Sequence, residues 1–183
     1  MQKEAKVSVK TEETSEIRFV INTYEDIFSD FDPRPYSLKG LSEDFLSAAK
    51  GSLTNKPIDK IDFIFLVQKK ERKEKEEAVI KERLKKHFKK HMEIFEKEKS
   101  KIVKRGSIFT GVGMILMLTA TFLFFKFKNE SLLASFFTIL LEPASWFLFW
   151  EGLNQLIFES KKIEPNLDFY RKMSDASIKF NSV

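Results

Sequence analysis

The spacing of hydrophobic positions changes three times along the chain. Ile17-Arg18-Phe19-Val20-Ile21 is short and β-rich and predicts a strand. The stretch NTYEDIFSDFDPRPYSLKG that follows is rich in Asp and Ser, and its closely spaced Pro33 and Pro35 predict an ordered loop. Residues 41–49 predict a short helix, with Ser42 as N-cap, Asp44 in the first turn and Gly51 as its stop. Lys60-Ile61-Asp62-Phe63-Ile64-Phe65-Leu66-Val67 predicts a second strand, which completes a β-loop-α-β order.

Residues 69–105 contain no Pro or Gly. Ile80, Leu84, Phe88, His91, Phe95 and Ile102 recur there at steps of three, four or seven, the stripe of a long helix. Its 37 residues would extend roughly 55 Å at 1.5 Å each. A sheet of five- to seven-residue strands reaches only about 17–24 Å. Phe88, His91, Phe95 and Ile102 are therefore expected to face a second copy or another protein.

After Gly106 the pattern becomes continuously apolar. Residues 107–125 are 19 positions without a charge, enough to cross a hydrocarbon core of roughly 30 Å. Residues 126–130 leave room only for a tight turn, and 131–150 form a second apolar run whose one charge is Glu142. An amphipathic stretch over 152–173 leads to residues 177–182, which alternate like a strand. A lone terminal strand is not stable, so it is expected to pair with the strands at 17–21 and 60–67.

The fold class expected is an α+β membrane protein. It has a two-helix transmembrane hairpin, a long charged helix continuous with the first span, and a small cytoplasmic sheet of about three strands. The segments are a flexible terminus at 1–16, an α/β domain from 17–68 and 160–183, the charged helix at 69–105, and a hairpin at 106–151 with spans near 107–125 and 131–150.

Charge supplies the orientation. Hydrophobic residues make up 43% of the chain and charged residues 32%, and the two classes are segregated. Residues 69–105 hold 16 basic against 8 acidic side chains, whereas the turn between the apolar runs offers only Lys126 and Lys128. Basic residues favour the cytoplasmic side, so both termini are expected inside a plasma (inner) membrane and the turn outside. Trp146 and Trp150 suit an aromatic belt at the inner interface. Lys99, Lys101, Lys104, Arg105, Lys161 and Lys162 are expected near anionic lipid headgroups, each worth about 1 kcal/mol there. The first 16 residues have no apolar h-region, so the first span is expected to direct insertion itself.

Candidate chemistry is sparse. With 0 Cys there is no disulfide, thiolate metal site or cysteine nucleophile. Glu142 lies mid-span, followed by Pro143, and a carboxyl in lipid marks a functional position by default. It suits an ion or proton path or a contact between subunits; the structural alternative is a neutral carboxyl bonded to Thr119, Thr121 or Ser145. His87 and His91 share a helix face at a spacing that can hold a metal, but no HExxH pattern accompanies them and no metal site is expected. Asp30, Asp32, Arg34 and Tyr36 form either a partner-recognition loop or an Asx-capped turn. Acids and bases alternate in the charged helix, which fits a solvated helix rather than a nucleic-acid surface.

The order of these pieces resembles a broad group of uncharacterised bacterial two-span membrane proteins with a small cytoplasmic α/β domain. The likeness rests on TYEDIFSDFDPRPY after the first strand, IDFIFLV, the helix carrying KHFKKH, the RG that opens the first span, and the tail EPASWFLFWEGLNQLIFESKKIEPNLDFYRKM. It covers nearly all the chain from Ile17 and implies a topology without an activity. The function expected is that of a non-enzymatic, homo-oligomeric scaffold or partner-recognition protein that needs no cofactor. The alternative is a small channel with Glu142 facing a pore.

Overall fold

The computed structural model describes residues 14–53, 60–127 and 131–182. The sequence-based readings for residues 1–13, including most of the flexible terminus, and for the centre of the turn at 128–130 lie outside the described residues.

The elements are β1 (Thr14–Val20), α1 (Glu43–Leu53), β2 (Lys60–Val67), α2 (Glu74–Phe127), α3 (Leu132–Asn154), α4 (Ser160–Asp175) and β3 (Ser177–Ser182). Single 3-10 turns occupy Tyr24–Ile27 and Lys69–Glu71, and a π turn at Gln155–Glu159 joins α3 to α4. The described residues divide into two compact units, one within Met1–Met92 and Asp168–Val183, the other within Glu93–Leu167.

The first unit is built on a three-stranded sheet in the order β1-β2-β3, parallel throughout. Among the described residues the C-terminal strand pairs with β2 and not, as expected, with β1 as well: Phe63 lies opposite Ile178 and Phe65 opposite Phe180. Parallel neighbours require crossovers. α1 lies on the connection between β1 and β2, and all of α2, α3 and α4 on the one between β2 and β3. Alternation along the strands sends Ile17, Ile61, Phe63, Phe65, Val67, Ile178 and Phe180 into one core with Ile80, Leu84 and Phe88 of α2. Phe65 stacks on Phe180 with centroids 5.0 Å apart, and Phe63 meets Phe19 at 5.1 Å.

Several boundaries differ from those the sequence predicts: β1 begins at Thr14 rather than Ile17, so residues 14–16 of the expected flexible terminus are strand. α1 begins at Glu43 but runs past Gly51 to Leu53, whose burial fastens the last turn. Nothing lies within 4 Å of a Cβ built on Gly51, so this glycine sits in an exposed helical turn and stops nothing. The charged helix begins at Glu74 rather than Lys69, because the chain first makes the turn at Lys69–Glu71. Three acidic residues, Glu74, Glu76 and Glu77, then occupy the first turn of α2, where they complement the helix dipole.

The second unit contains two helical stretches long and apolar enough to cross a bilayer. Only 11% of the most apolar stretch of α2, and 6% of that in the helix from Leu132, is buried within the chain. Their contact is a seam of small residues. A Cβ on Gly113 would lie 2.6 Å from the Phe149 nitrogen and 2.9 Å from the Ser145 carbonyl oxygen. One on Gly152 would lie 2.4 Å from the Thr110 nitrogen and 2.7 Å from the Gly106 oxygen. Such small residues let backbones touch where apolar burial gives helices in lipid no reason to associate.

Candidate functional site

Three groups of side chains stand out, two in the first unit and one in the second. The first follows from the loop after β1. Asp32 accepts hydrogen bonds from Arg34 Nε at 2.8 Å, Arg34 Nη2 at 2.7 Å, the Arg34 backbone N–H at 3.1 Å and the Gly40 N–H at 2.7 Å. The Arg34 guanidinium holds the Asp32 carboxyl well below the usual carboxylate range. Tyr36 donates its hydroxyl to Glu25 at 2.9 Å, and Lys39 forms an ion pair with the same carboxylate. Desolvation and the Glu25 charge push the Tyr36 phenol up to about 12. Three of the four residues proposed for recognition thus brace the loop itself. Asp30 stays exposed, and beside it Phe31 is 97% exposed.

Beneath this loop lies a buried charge that the sequence did not advertise. Glu77 of α2, 4% exposed, accepts from Tyr24 Oη at 2.9 Å and from Arg72 Nε and Nη2, both at 2.9 Å. Tyr24 Oη in turn accepts the Lys73 backbone N–H at 3.0 Å, and Arg72 Nη1 reaches Ser182 Oγ at 3.2 Å. Arg72 holds the Glu77 carboxyl below its ordinary value, more than offsetting burial. The network ties the entry of α2 to the end of β3. A buried pair with every partner in place is chiefly a device for register.

The second group is the histidine pair. The His87 and His91 rings lie 4.3 Å apart, centroid to centroid, and His91 stacks on Tyr170 at 5.1 Å. Burial, then the neighbouring His91, Arg83 and Lys90, push the His87 imidazole down to about 4. Its Nε2 is buried without a hydrogen-bond partner among the described residues. Both rings are used in packing, and no cluster of three or more candidate ligands occurs among the described residues.

These contacts correct the reading of Phe88 as a partner-facing residue. Phe88 is fully buried, at 0% exposure, in the first unit's own core, 6.2 Å from Phe169 in an edge-to-face contact. His91 is half-buried under Tyr170, and Phe95 and Ile102 are half-buried as well. What covers Phe88 is α4, whose Phe169 and Tyr170 rings lie 6.2 and 6.3 Å from it. Strand length alone does not measure what covers the stripe, because the sheet is not its only cover.

The third group lies in the second unit, between α2 and α3. An open groove of about 640 Å3 is lined by Ala120, Thr121, Phe125, Thr138, Glu142 and Trp146, among others. Glu142 is exposed there, and its carboxyl has no partner among the described residues. The hydroxyls expected to hold it are used elsewhere. Thr119 donates to the Ile115 carbonyl at 2.8 Å, Thr121 to that of Met117 at 2.9 Å, and Ser145 to the Glu142 main-chain carbonyl at 2.8 Å. None of the three donates to the Glu142 carboxyl. Pro143 sits inside α3 without ending it.

The remaining predicted positions are on the surface. Lys101, Lys104, Arg105, Lys161 and Lys162 are exposed, with the Arg105 guanidinium 5.2 Å over the Phe109 ring and Lys162 paired to Glu159 at 2.5 Å. Lys99 bonds Glu164 at 2.8 Å. Trp146 and Trp150 are exposed, their rings tilted against each other with centroids 5.6 Å apart. The glycine seam was the feature missed in the sequence. Gly106, Thr110 and Gly113, spaced four and three apart in an apolar run, were the available signal.

No protein-family model, no curated protein and no solved structure matches this chain.

Proposed function

We propose that this chain is a non-enzymatic, homo-oligomeric scaffold or recognition protein of the bacterial inner membrane. In this reading α2 and α3 form a two-span hairpin, and the α/β unit lies in the cytoplasm. One observation carries it. α2 and α3 close on each other through small residues, yet both still turn large apolar side chains outward, among them Ile115, Leu118, Phe125, Leu133, Ile139 and Phe147. In water such a surface would be an aggregation liability; in a bilayer it is the expected lipid or subunit surface.

The exposed bases Lys101, Lys104 and Arg105, with Lys161 and Lys162, supply the headgroup contacts of the inner leaflet, and Trp146 and Trp150 its aromatic belt. The braced loop with Phe31 at its surface suits recognition of a protein partner, since a rigid exposed aromatic loses little entropy on binding. The test uses the natural absence of cysteine. Cysteine placed at Asn129, outside the described residues, should react with an impermeant thiol reagent on intact cells. Cysteine at Ser52 should react only after lysis, and the protein should resist carbonate extraction. Labelling of Ser52→Cys on intact cells, or release by carbonate, would overturn the reading.

A second reading is favoured by Glu142 itself, an exposed carboxyl lining a groove between two apolar helices. A small channel would place it at a hydrated axis. Purified protein in liposomes should then pass cations or protons, and Glu142→Gln should abolish the flux.

A further inference from the structure

We propose that the Glu142 face of α3 is the seam on which a second copy of this chain docks, the two Glu142 carboxyls bonding each other reciprocally. The inference rests on the membrane reading above and names the partner and the group that recognises it. A carboxyl at mid-span is costly when it meets lipid alone, so it must be bonded or covered. Among the described residues nothing donates a hydrogen bond to it. Thr121 and Thr138, on its own groove wall, both donate to carbonyls of their own helices, and so does Ser145. Lipid tails offer no donor or acceptor.

The occupant must therefore bring a donor to the depth of Glu142. A second copy inserted in the same orientation does this by symmetry, because a two-fold axis along the bilayer normal places its own Glu142 at that depth. Two carboxylic acids, each donating its O–H to the other's carbonyl oxygen, satisfy both groups at once. The surroundings suit a helix-to-helix contact. Phe124, Phe125 and Trp146 border the groove and are all exposed, so a partner would bury rigid rings at little cost in side-chain entropy. The hairpin's own seam lies along Gly113 and Gly152 and remains intact in such a pair.

The experiment measures dimerisation of the full chain in lipid bilayers by energy transfer between labelled copies, with carbonate extraction run on the same samples. Wild type should self-associate. Glu142→Leu should weaken association at least tenfold while remaining inserted. Glu142→Gln should restore most of it, because a primary amide also donates and accepts. Leu140→Ala, about 160° round the helix from Glu142, should leave it unchanged. Equal association of Glu142→Leu overturns the carboxyl pair alone; an inserted but monomeric wild type overturns it together with the homo-oligomeric part of the reading and leaves the two-span hairpin standing. Extraction of the wild type by carbonate removes both.

Discussion

Adding a single methyl at Gly152 tests how the two apolar helices are held together. A Cβ there would lie 2.3 Å from Thr110 Oγ1, 2.4 Å from Thr110 N and 2.7 Å from Gly106 O, where ordinary contact begins at 3.4 Å. The hydroxyl can rotate away, but the nitrogen and the carbonyl oxygen are backbone. Their deficits are about 1.0 and 0.7 Å, so the helices must separate by something near an ångström. Separation also loosens the contacts of Gly106 with Gln155 and Leu156 and of Gly113 with Phe149. Overpacking of this kind costs about 1–3 kcal/mol. Gly111 is the internal control, since nothing lies within 4 Å of its added Cβ. Gly111→Ala should be neutral or stabilising by at most about 1 kcal/mol through helix propensity. Reversible denaturation in mixed micelles, read by energy transfer between labels on α2 and α3, should give a clearly lower midpoint for Gly152→Ala than for Gly111→Ala. Equal midpoints for the two would refute the seam.

Phe88→Ala should destabilise the first unit by about 3–5 kcal/mol, because a fully buried ring leaves a cavity; hydrogen exchange of β2 in the full chain would report it, and unchanged protection would return Phe88 to a partner surface. Removal of residues 176–183 should unprotect β2, since β3 supplies its neighbour and the Phe180 ring stacked on Phe65, and limited proteolysis of the full and truncated chains checks this. The His87 imidazole is depressed to about 4 in the folded protein against an ordinary value of 6.5, so the unfolded chain takes up its proton more readily between those values. Its contribution is complete above about pH 6.5 and is lost as the pH falls toward 4, by on the order of 1 kcal/mol after screening at a partly exposed site. Denaturation midpoints at pH 7.5 and 5 should therefore differ less for His87→Leu than for wild type; equal differences would show that His87 carries no linkage.

Local pattern was enough for much of this protein. Alternation in IDFIFLV yields β2, and a run of 19 uncharged residues yields the apolar half of α2, because both depend on neighbours a few positions away. The terminal strand was also legible, since six alternating residues have no stable fate outside a sheet. Partnership was not legible. Phe88 belongs to the same stripe whether a second subunit or α4 covers it, and only the chain's return through Phe169 and Tyr170 chose α4. Glu77 reads in sequence as one acid among many on a charged helix, yet Tyr24, 53 positions earlier, makes it a buried anchor. Glu142 is visible to anyone who counts charges in an apolar run, but its lack of a partner is not. Sequence shows which groups need one; whether Thr121 or Ser145 is free to provide it depends on the helix carbonyl each hydroxyl already meets, and that geometry exists only in the fold.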